Sequence, residues 1–467
     1  MIIMKFGGTS LGNAKRIREV AKLIIKLKKN QEVVVVVSAI SGVTDLLLAS
    51  AEAAAARNKA KFKKNLEALG ELHWQAARKL GLQEAPAAAL SEVIDSRLDE
   101  LKELLDSIYI LGEITLRAQD AILSFGERLN IHLVSAAIKM AGGQAEPLEA
   151  GSFIVTDNQF GEARPELAKS KKRVKKAILP LLESGITPII TGYIGATPEG
   201  TITTLGRGGS DYSATILGFC LEAKEVWIWT DVNGVMTADP RVVKGAHTIA
   251  ELTYNEAAEL SYFGAKVIHP MTMVPAALKG IPIIIKNTFK PELRGTRITA
   301  KNSKNLSSSK AIATIGSLSL ITVQGKGMLG VPGVAARLFG TIASEKINVL
   351  FISQASSEYN ISFVVRHNDG RNAVKALQEI FQFELRAKTI ETVKIEEGLA
   401  ITAVVGEGMR GHPGVAGKVF SALGNKKINI MAIAQGSSEL NISMVIKEKD
   451  VTKAVKSIHD AFHLAKP

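Results

Sequence analysis

Residues 33–37 read Val-Val-Val-Val-Val, and this run limits the fold more than any other feature of the chain. Five β-branched residues in succession favour a strand. No polar residue alternates with them, so both faces of that strand need apolar cover. Strands of this kind belong to parallel sheets flanked by helices. The opening of the chain agrees. An apolar stretch, 1–4, delivers Lys5, Phe6, Gly7 and Gly8, and then Ile17, Val20, Ala21 and Ile24 recur at helical spacing. Further on, 187–194 reads as a strand, Pro198-Glu199-Gly200 as a hairpin turn into 201–205, 210–221 as a helix and 226–229 as a strand. Residues 46–116 are rich in Ala, Leu, Lys and Glu and read as helices projecting from the sheet. The expected class is α/β, with a layered sheet.

At 467 residues the chain exceeds one ordinary domain. Composition shifts at 301–310, where Asn, Ser and Lys dominate, and a linker is expected there. An internal repeat follows. Gly-Lys-Gly-Met at 325, Pro332-Gly333-Val334-Ala335, Lys346-Ile347-Asn348 and Gln354-Ala355-Ser356-Ser357-Glu358 recur as Gly-Glu-Gly-Met at 406, Pro413-Gly414-Val415-Ala416, Lys427-Ile428-Asn429 and Gln435-Gly436-Ser437-Ser438-Glu439, always 81 residues on. Each copy reads as a small ferredoxin-like βαββαβ unit. The expected division is an α/β region at 1–300, a linker at 301–312, and repeat units at 313–395 and 396–467.

The single cysteine, Cys220, rules out an internal disulfide and fits a reducing compartment, so a cytoplasmic protein is expected. No apolar run approaches the ~18–20 residues of a membrane span, and residues 1–6 lack the pattern of a signal peptide. The net charge of +13 admits an anionic partner. Aromatic residues make up only 5% and do not interleave with the lysine runs, so a solvated basic surface is expected and no nucleic-acid partner.

Two segments run from a strand into glycines and then a helix start: Lys5 to Ser10, and Thr203-Thr204-Leu205-Gly206-Arg207-Gly208-Gly209-Ser210-Asp211. Glycine lets backbone amides approach a ligand, and a helix N-terminus favours an anion. Lys5 and Arg207 add a fixed cation to each. The spacing is not that of a P-loop. Ser210 or Asp211 can also cap the helix, and capping does not exclude a ligand role. Glu127 lies in a helix that is apolar on most faces, with Leu123, Ile131, Val134 and Ile138 around it, where a carboxylate is costly unless paired. Ser38 and Thr44 flank the loop after the valine strand, at the strand end where α/β sheets bind ligands.

Lys-Phe-Gly-Gly-Thr-Ser at 5–10, the 33–44 segment, Ser-Phe-Gly-Glu-Arg at 124–128, Leu-Gly-Arg-Gly-Gly-Ser-Asp at 205–211, 229–241 and Phe-Gly-Ala-Lys-Val-Ile-His-Pro at 263–270 together resemble the amino-acid kinase superfamily and, within it, the aspartate kinases. The resemblance implies phosphorylation of the side-chain carboxylate of L-aspartate by ATP, with Mg²⁺ carried on the nucleotide phosphates and no separate protein metal site. It implies Lys5, Asp211 and Arg207 as catalytic residues. It implies Ser38, Thr44, Glu127, Arg207, Gly208, Gly209 and Ser210 around the amino acid. Glu127 would meet its α-ammonium and Arg207 its α-carboxylate. ATP would meet Lys5, Phe6, Gly7, Gly8, Thr230, Asp231, Met236, Arg241, Lys266 and Val267. Met236 stands where the family often has tyrosine. His269 reads as structural, because a carboxylate nucleophile is already ionised at neutral pH.

The repeats resemble ACT domains, the amino-acid-sensing modules of biosynthetic enzymes. The resemblance implies homodimer or larger pairing through them, with feedback by threonine, lysine or both. Gly330, Ala335, Asn348, Val349, Leu350 and Gln354 would bind effector in the first copy, and Asn429, Ile430 and Gln435 in the second. The chain ends soon after the second repeat, so a monofunctional enzyme is expected. A kinase for another acidic amino acid, and a non-catalytic amino-acid sensor, are the alternative readings.

Overall fold

A computed structural model describes residues 1–264, 268–301, 309–355 and 359–465. The chain forms two compact units. One comprises Met1–Val235, Ala250–Tyr254 and Val267–Asn302, and the other Met236–Ile249, Asn255–Lys266 and Ser303–Pro467. Two short stretches before residue 300 therefore belong with the second unit.

In chain order the first unit begins β1 (Ile2–Phe6), α1 (Ala14–Lys28), β2 (Val33–Val37), α2 (Val43–Ala55), α3 (Lys59–Leu80), α4 (Glu84–Leu111), α5 (Leu116–Leu123), α6 (Phe125–Met140), β3 (Ala145–Leu148) and α7 (Leu167–Glu183). It continues β4 (Thr187–Thr191), β5 (Ile194–Ala196), β6 (Ile202–Thr204), α8 (Gly209–Leu221), β7 (Glu225–Thr230) and β8 (Glu251–Thr253). After α9 (Tyr254–Tyr262), which from Asn255 belongs to the second unit, come α10 (Pro270–Lys279), β9 (Ile283–Asn287) and β10 (Thr296–Thr299).

Eight of these strands form one sheet in the order β3-β4-β2-β1-β7-β9-β10-β8. All five valines of β2 are buried, as a strand covered on both faces requires. β1 is central and parallel to both neighbours, with Lys5 opposite Val36 and Ile228. Asn13 caps α1 by accepting from the Arg16 amide at 3.1 Å, and Ile17, Val20, Ala21 and Ile24 bury its inner face. The strand expected at 187–194 is interrupted. Thr191 ends β4, Tyr193 turns the chain at φ 68°, and Ile194–Ala196 pairs antiparallel with Ile202–Thr204 in a separate two-stranded sheet. That break carries the hairpin away from the main sheet and up to α8.

The second unit contains β11 (Ala311–Gln324), α11 (Val334–Ser344), β12 (Phe351–Gln354), β13 (Asn360–Arg366), α12 (His367–Ile380), α13 (Gln382–Arg386), β14 (Thr392–Val405), α14 (Val415–Gly424), β15 (Ala432–Ala434), β16 (Asn441–Lys447) and α15 (Val451–Ala461). The sheet order is β12-β13-β11-β14-β16-β15. Each repeat takes half of it, with one exchange. Residues 318–324 of β11 pair with β13 in the first repeat, whereas Ala311–Ile315 pair with 401–405 of β14 in the second. The second repeat ends at α15, so its fourth strand is supplied by the start of β11. The expected linker, 301–312, thus runs into a strand at Ala311, and the expected boundary at 395/396 falls inside β14. Two apolar cores reflect this: Ile312 packs with Val404, Met444 and Ile458, and Ile321 with Leu338, Phe363 and Leu377.

Among the described residues no helix is long and apolar enough to cross a membrane.

Candidate active site

The turn after β1, the loop after β2, one face of α6 and the start of α8 enclose a cleft of about 570 Å³ in the first unit. Parallel strands aim their carboxyl ends at a common edge, so residues distant in sequence meet there. Lys5, Gly8, Ser38, Thr44, Glu127, Arg207, Gly208, Gly209, Ser210 and Asp211 all line it. The glycine turn after β1 and the glycine-rich start of α8 thus face one space; the first is not a helix start, because α1 begins only at Ala14.

Lys5 Nζ lies 2.6 Å from Asp211 Oδ1, and the two side chains are only 11% and 14% exposed. Lys5 is held at the end of β1, and Asp211 sits in the first turn of α8. Gly8 must be glycine: a Cβ there would stand 2.7 Å from the Ala39 carbonyl oxygen. The β1 turn therefore lies directly on the β2 loop. Gly208, at φ 73°, opens α8 in the left-handed region. Arg207 is exposed at this helix start and, among the described residues, pairs with no carboxylate.

Glu127 is 4% exposed. Its Oε1 receives a long contact from Ser210 Oγ, 3.5 Å, and its Oε2 is buried with no close hydrogen-bond partner among the described residues. Burial pushes its carboxyl up to about 8, against the opposing pull of the Ala39 amide, its own amide, Lys5 and Ser210. A buried, half-satisfied carboxylate facing a cleft is suited to an incoming cation.

Other expected residues are placed differently. The Phe6 ring is fully buried and stacks on Trp229 with centroids 5.9 Å apart, so Phe6 can offer a ligand only its backbone. Gly7 donates its amide to the Trp229 carbonyl at 3.1 Å. Thr230 ends β7, beside β1, Asp231 follows it, and Thr230 Oγ1 donates to Asp231 Oδ1 at 3.2 Å. Met236 and Arg241 belong to the second unit, where Met236 Sδ accepts from Thr248 and Arg241, 88% exposed, pairs with Asp239 at 2.6 Å. Lys266 and Val267 lie outside the described residues. The His269 side chain packs against Gly208 rather than lining the cleft, and its Nδ1 has no partner among the described residues.

In the repeats, Ala335 and Asn348 are exposed at and after α11, Val349 is half-buried, Gln354 ends β12, and Gly330 lies in the turn before α11 at φ 64°. Asn429 is exposed and Ile430 half-buried before β15, with Gln435 exposed after it. Leu350 is already engaged: its side chain is buried, its amide donates to Val364 and its carbonyl accepts from Tyr262.

Residues 1–287 match the amino acid kinase family. The chain belongs to that family. Residues 321–381 and 403–462 each match the ACT domain, so this amino acid kinase carries tandem ACT domains. The chain is 38% identical over 470 residues to a chloroplastic bifunctional aspartokinase/homoserine dehydrogenase 2 of Arabidopsis thaliana, covering 99% of this chain and 51% of that protein. It spans about half the length of such bifunctional relatives. It is 33% identical to the chloroplastic aspartokinase 2 of Arabidopsis thaliana, covering 100% of this chain and 85% of the relative. It is also similar to the crystal structure of Escherichia coli aspartokinase III in complex with aspartate and ADP, with TM-score 0.81, 30% identity and 99% coverage of both chains.

Four residues that form or support the cleft were not anticipated from sequence. Asn130 donates to the Ser38 carbonyl at 2.6 Å and fixes the β2 loop. Its spacing of three from Glu127, on the same apolar helix face, was the available signal. Asp120, buried in α5, accepts three hydrogen bonds from cleft-forming loops. Tyr193 and Glu162 line the cleft from loops that carry no sequence motif. Burial pushes the Tyr193 phenol up, opposed by its bond to Thr204.

Proposed function

We propose that this protein is an aspartate kinase: it transfers the terminal phosphoryl group of ATP to the side-chain carboxylate of L-aspartate, giving 4-phospho-L-aspartate and ADP. The observation that carries the reading is the convergence of Lys5, Asp211, Glu127 and Arg207 on one cleft. Glu127 and Arg207 are complementary to the α-ammonium and α-carboxylate of an amino acid, leaving its side-chain acid to face Lys5. Bidentate geometry suits arginine to the carboxylate. The carboxylate oxygen attacks the terminal phosphorus, the bond from phosphorus to the bridging oxygen breaks, and the electron pair leaves on ADP. No general base is needed, since the nucleophile is ionised at neutral pH. Lys5, aimed by Asp211, offsets the charge on the transferring phosphoryl oxygens. Gly7, Gly8, the Phe6 backbone, Thr230 and Asp231 form the nucleotide side, joined in this reading by Met236, Arg241, Lys266 and Val267. Mg²⁺ would reach the site on the ATP phosphates and neutralise part of their charge; the carboxylate nearest Lys5 is already engaged by it.

Ser38, Thr44 and Ser210 supply hydroxyls, and Gly208 and Gly209 supply amides at the α8 start. The tandem ACT domains are read as sensors of an end-product amino acid, threonine or lysine, through the nine positions Gly330, Ala335, Asn348, Val349, Leu350, Gln354, Asn429, Ile430 and Gln435. Assembly through these domains into at least a dimer, and a cytoplasmic location, complete the reading. The kinase region occupies about 1–300 and the ACT domains the rest.

Hydroxylamine trapping of the acyl phosphate, with aspartate and glutamate compared side by side, tests the proposal. Aspartate-dependent hydroxamate with matching ADP release supports it. Preference for glutamate, or amino-acid binding with no ADP release, overturns it in favour of another kinase or a sensor.

A further inference from the structure

Asp120 lies in α5 and is 1% exposed. Its Oδ2 accepts from the Thr204 amide and the Gly161 amide, both at 2.9 Å, and its Oδ1 accepts from Thr204 Oγ1 at 2.6 Å. These three donors belong to the end of β6 and to the 157–164 loop, both of which lead into the cleft lining. Thr204 ends β6, and Leu205, Gly206 and Arg207 follow it, the last two lining the cleft. Gly161 belongs to the loop that presents Glu162 to the same cleft. That loop is closed at its base by Asp157 Oδ1, which accepts from the Gln159 and Arg164 amides. Thr204 is further fixed by its carbonyl, which accepts from Ala163 at 2.9 Å.

We infer that Asp120 is a positioning residue for the amino-acid subsite: it pins the strand end before Arg207 to the loop carrying Glu162, and so holds the guanidinium where a substrate α-carboxylate docks. A buried carboxylate is stabilised only by such donors, and it concentrates three of them on one anchor. Arg207 has no ion-pair partner among the described residues, so its placement depends on its backbone. Gly206 and Gly208, at φ 71° and 73°, make that backbone pliable, and Asp120 restrains it two residues upstream of the first, at Thr204. The inference rests on the proposed aspartate-kinase reading for the identity of the ligand, but the restraint itself does not.

The full-length protein with Asp120→Ala, Asp120→Asn and Thr204→Val tests it. The amide oxygen of Asp120→Asn can keep both N–H donors, while its NH₂ donates to Thr204 Oγ1, whose own proton turns to the Gly161 carbonyl, now 3.5 Å away. Asp120→Ala is expected to raise KM for aspartate about 10-fold or more, with kcat and KM for ATP changed by less than about 3-fold. Asp120→Asn should restore KM to within about 3-fold, and Thr204→Val should fall between. Hydrogen exchange of 159–164 and 203–208 provides the second readout: protection is lost in Asp120→Ala and kept in Asp120→Asn. If Asp120→Ala does not fold, Thr204→Val against Asp120→Asn decides the matter. Unchanged KM and exchange in the variants, or a loss confined to kcat, overturns the inference. If the unmodified protein lacks aspartate kinase activity, the substrate reading fails while the exchange comparison still decides whether Asp120 restrains both loops.

Discussion

Lys5 Nζ and Asp211 Oδ1 are 2.6 Å apart, which joins the end of a central strand to the first turn of a helix more than 200 residues later. The pair fixes an ammonium that would otherwise sample many rotamers. Replacing Lys5 with Met should leave the fold intact and lower kcat by about 10²–10³-fold. Asp211→Asn should cost less, about 10-fold, because the cation remains but loses its aim. The double variant should be no worse than Lys5→Met alone, since the two act as a unit. Steady-state ADP release on the three variants measures this, and near-additive losses would show that Asp211 acts independently of Lys5.

Glu127 gives a pH dependence. Burial raises its folded carboxyl to about 8 from the ordinary 4.5, so the empty protein holds it largely protonated at neutral pH. An ammonium ligand binds the ionised form, so docking aspartate below about pH 8 should release a proton. Calorimetry at pH 7 in buffers of different ionisation enthalpy should register close to one proton released, and Glu127→Gln should abolish it. The same shift bears on stability. Folding raises this pKa, so the contribution of Glu127 is most favourable below 4.5 and is lost as pH rises through 8. Glu127→Gln should therefore gain thermal stability relative to the parent as pH climbs from about 4.5 to 8. A constant difference across that window would refute the assignment.

Gly8 and Gly42 separate close approach from backbone strain. In Gly8→Ala the new methyl meets the Ala39 carbonyl at 2.7 Å and must push the β1 turn off the β2 loop. A displacement near 1 Å at the turn proposed to hold the nucleotide is expected to cost about 10²-fold in kcat/KM. Gly42→Ala has open space around it but φ 85°, so it should cost about 1–2 kcal/mol of stability through strain. Kinetics and denaturation of the two variants should show opposite balances. Equal effects on rate would remove the distinction.

Much of this architecture was legible from local pattern. The valine run reported a strand covered on both faces, and glycines beside Lys5 and Arg207 reported two segments open to a ligand, although only the second proved to be a helix start. Glu127 announced itself as a carboxylate on an apolar helix face. The family motifs carried the assignment of roles to these residues. Asp120 stayed hidden because its partners are backbone amides and a hydroxyl far along the chain, and amides leave no mark on sequence. The break at Tyr193 was hinted at by Gly192 beside it, but a lone glycine inside an apolar strand pattern does not by itself end the strand. The repeat gave two βαββαβ units, yet the fourth strand of the second comes from before the first. Repetition of sequence reports which segments are alike, not which edge a strand will close.

That exchange of strands makes the last prediction. Ile312 and Ile321 stand nine residues apart on one strand, β11, but are buried in different cores. Ile312 packs with residues of the second ACT domain, and Ile321 with residues of the first. Either change to alanine should cost about 2–5 kcal/mol, from lost apolar burial and the cavity left behind. The locations of the damage should differ. Ile312→Ala should accelerate amide exchange in β16 and α15, and Ile321→Ala in β13 and α12. Hydrogen exchange read by mass spectrometry resolves the four segments. Identical exchange patterns for the two variants would mean that β11 serves one undivided core, and that the start of the strand does not complete the second domain.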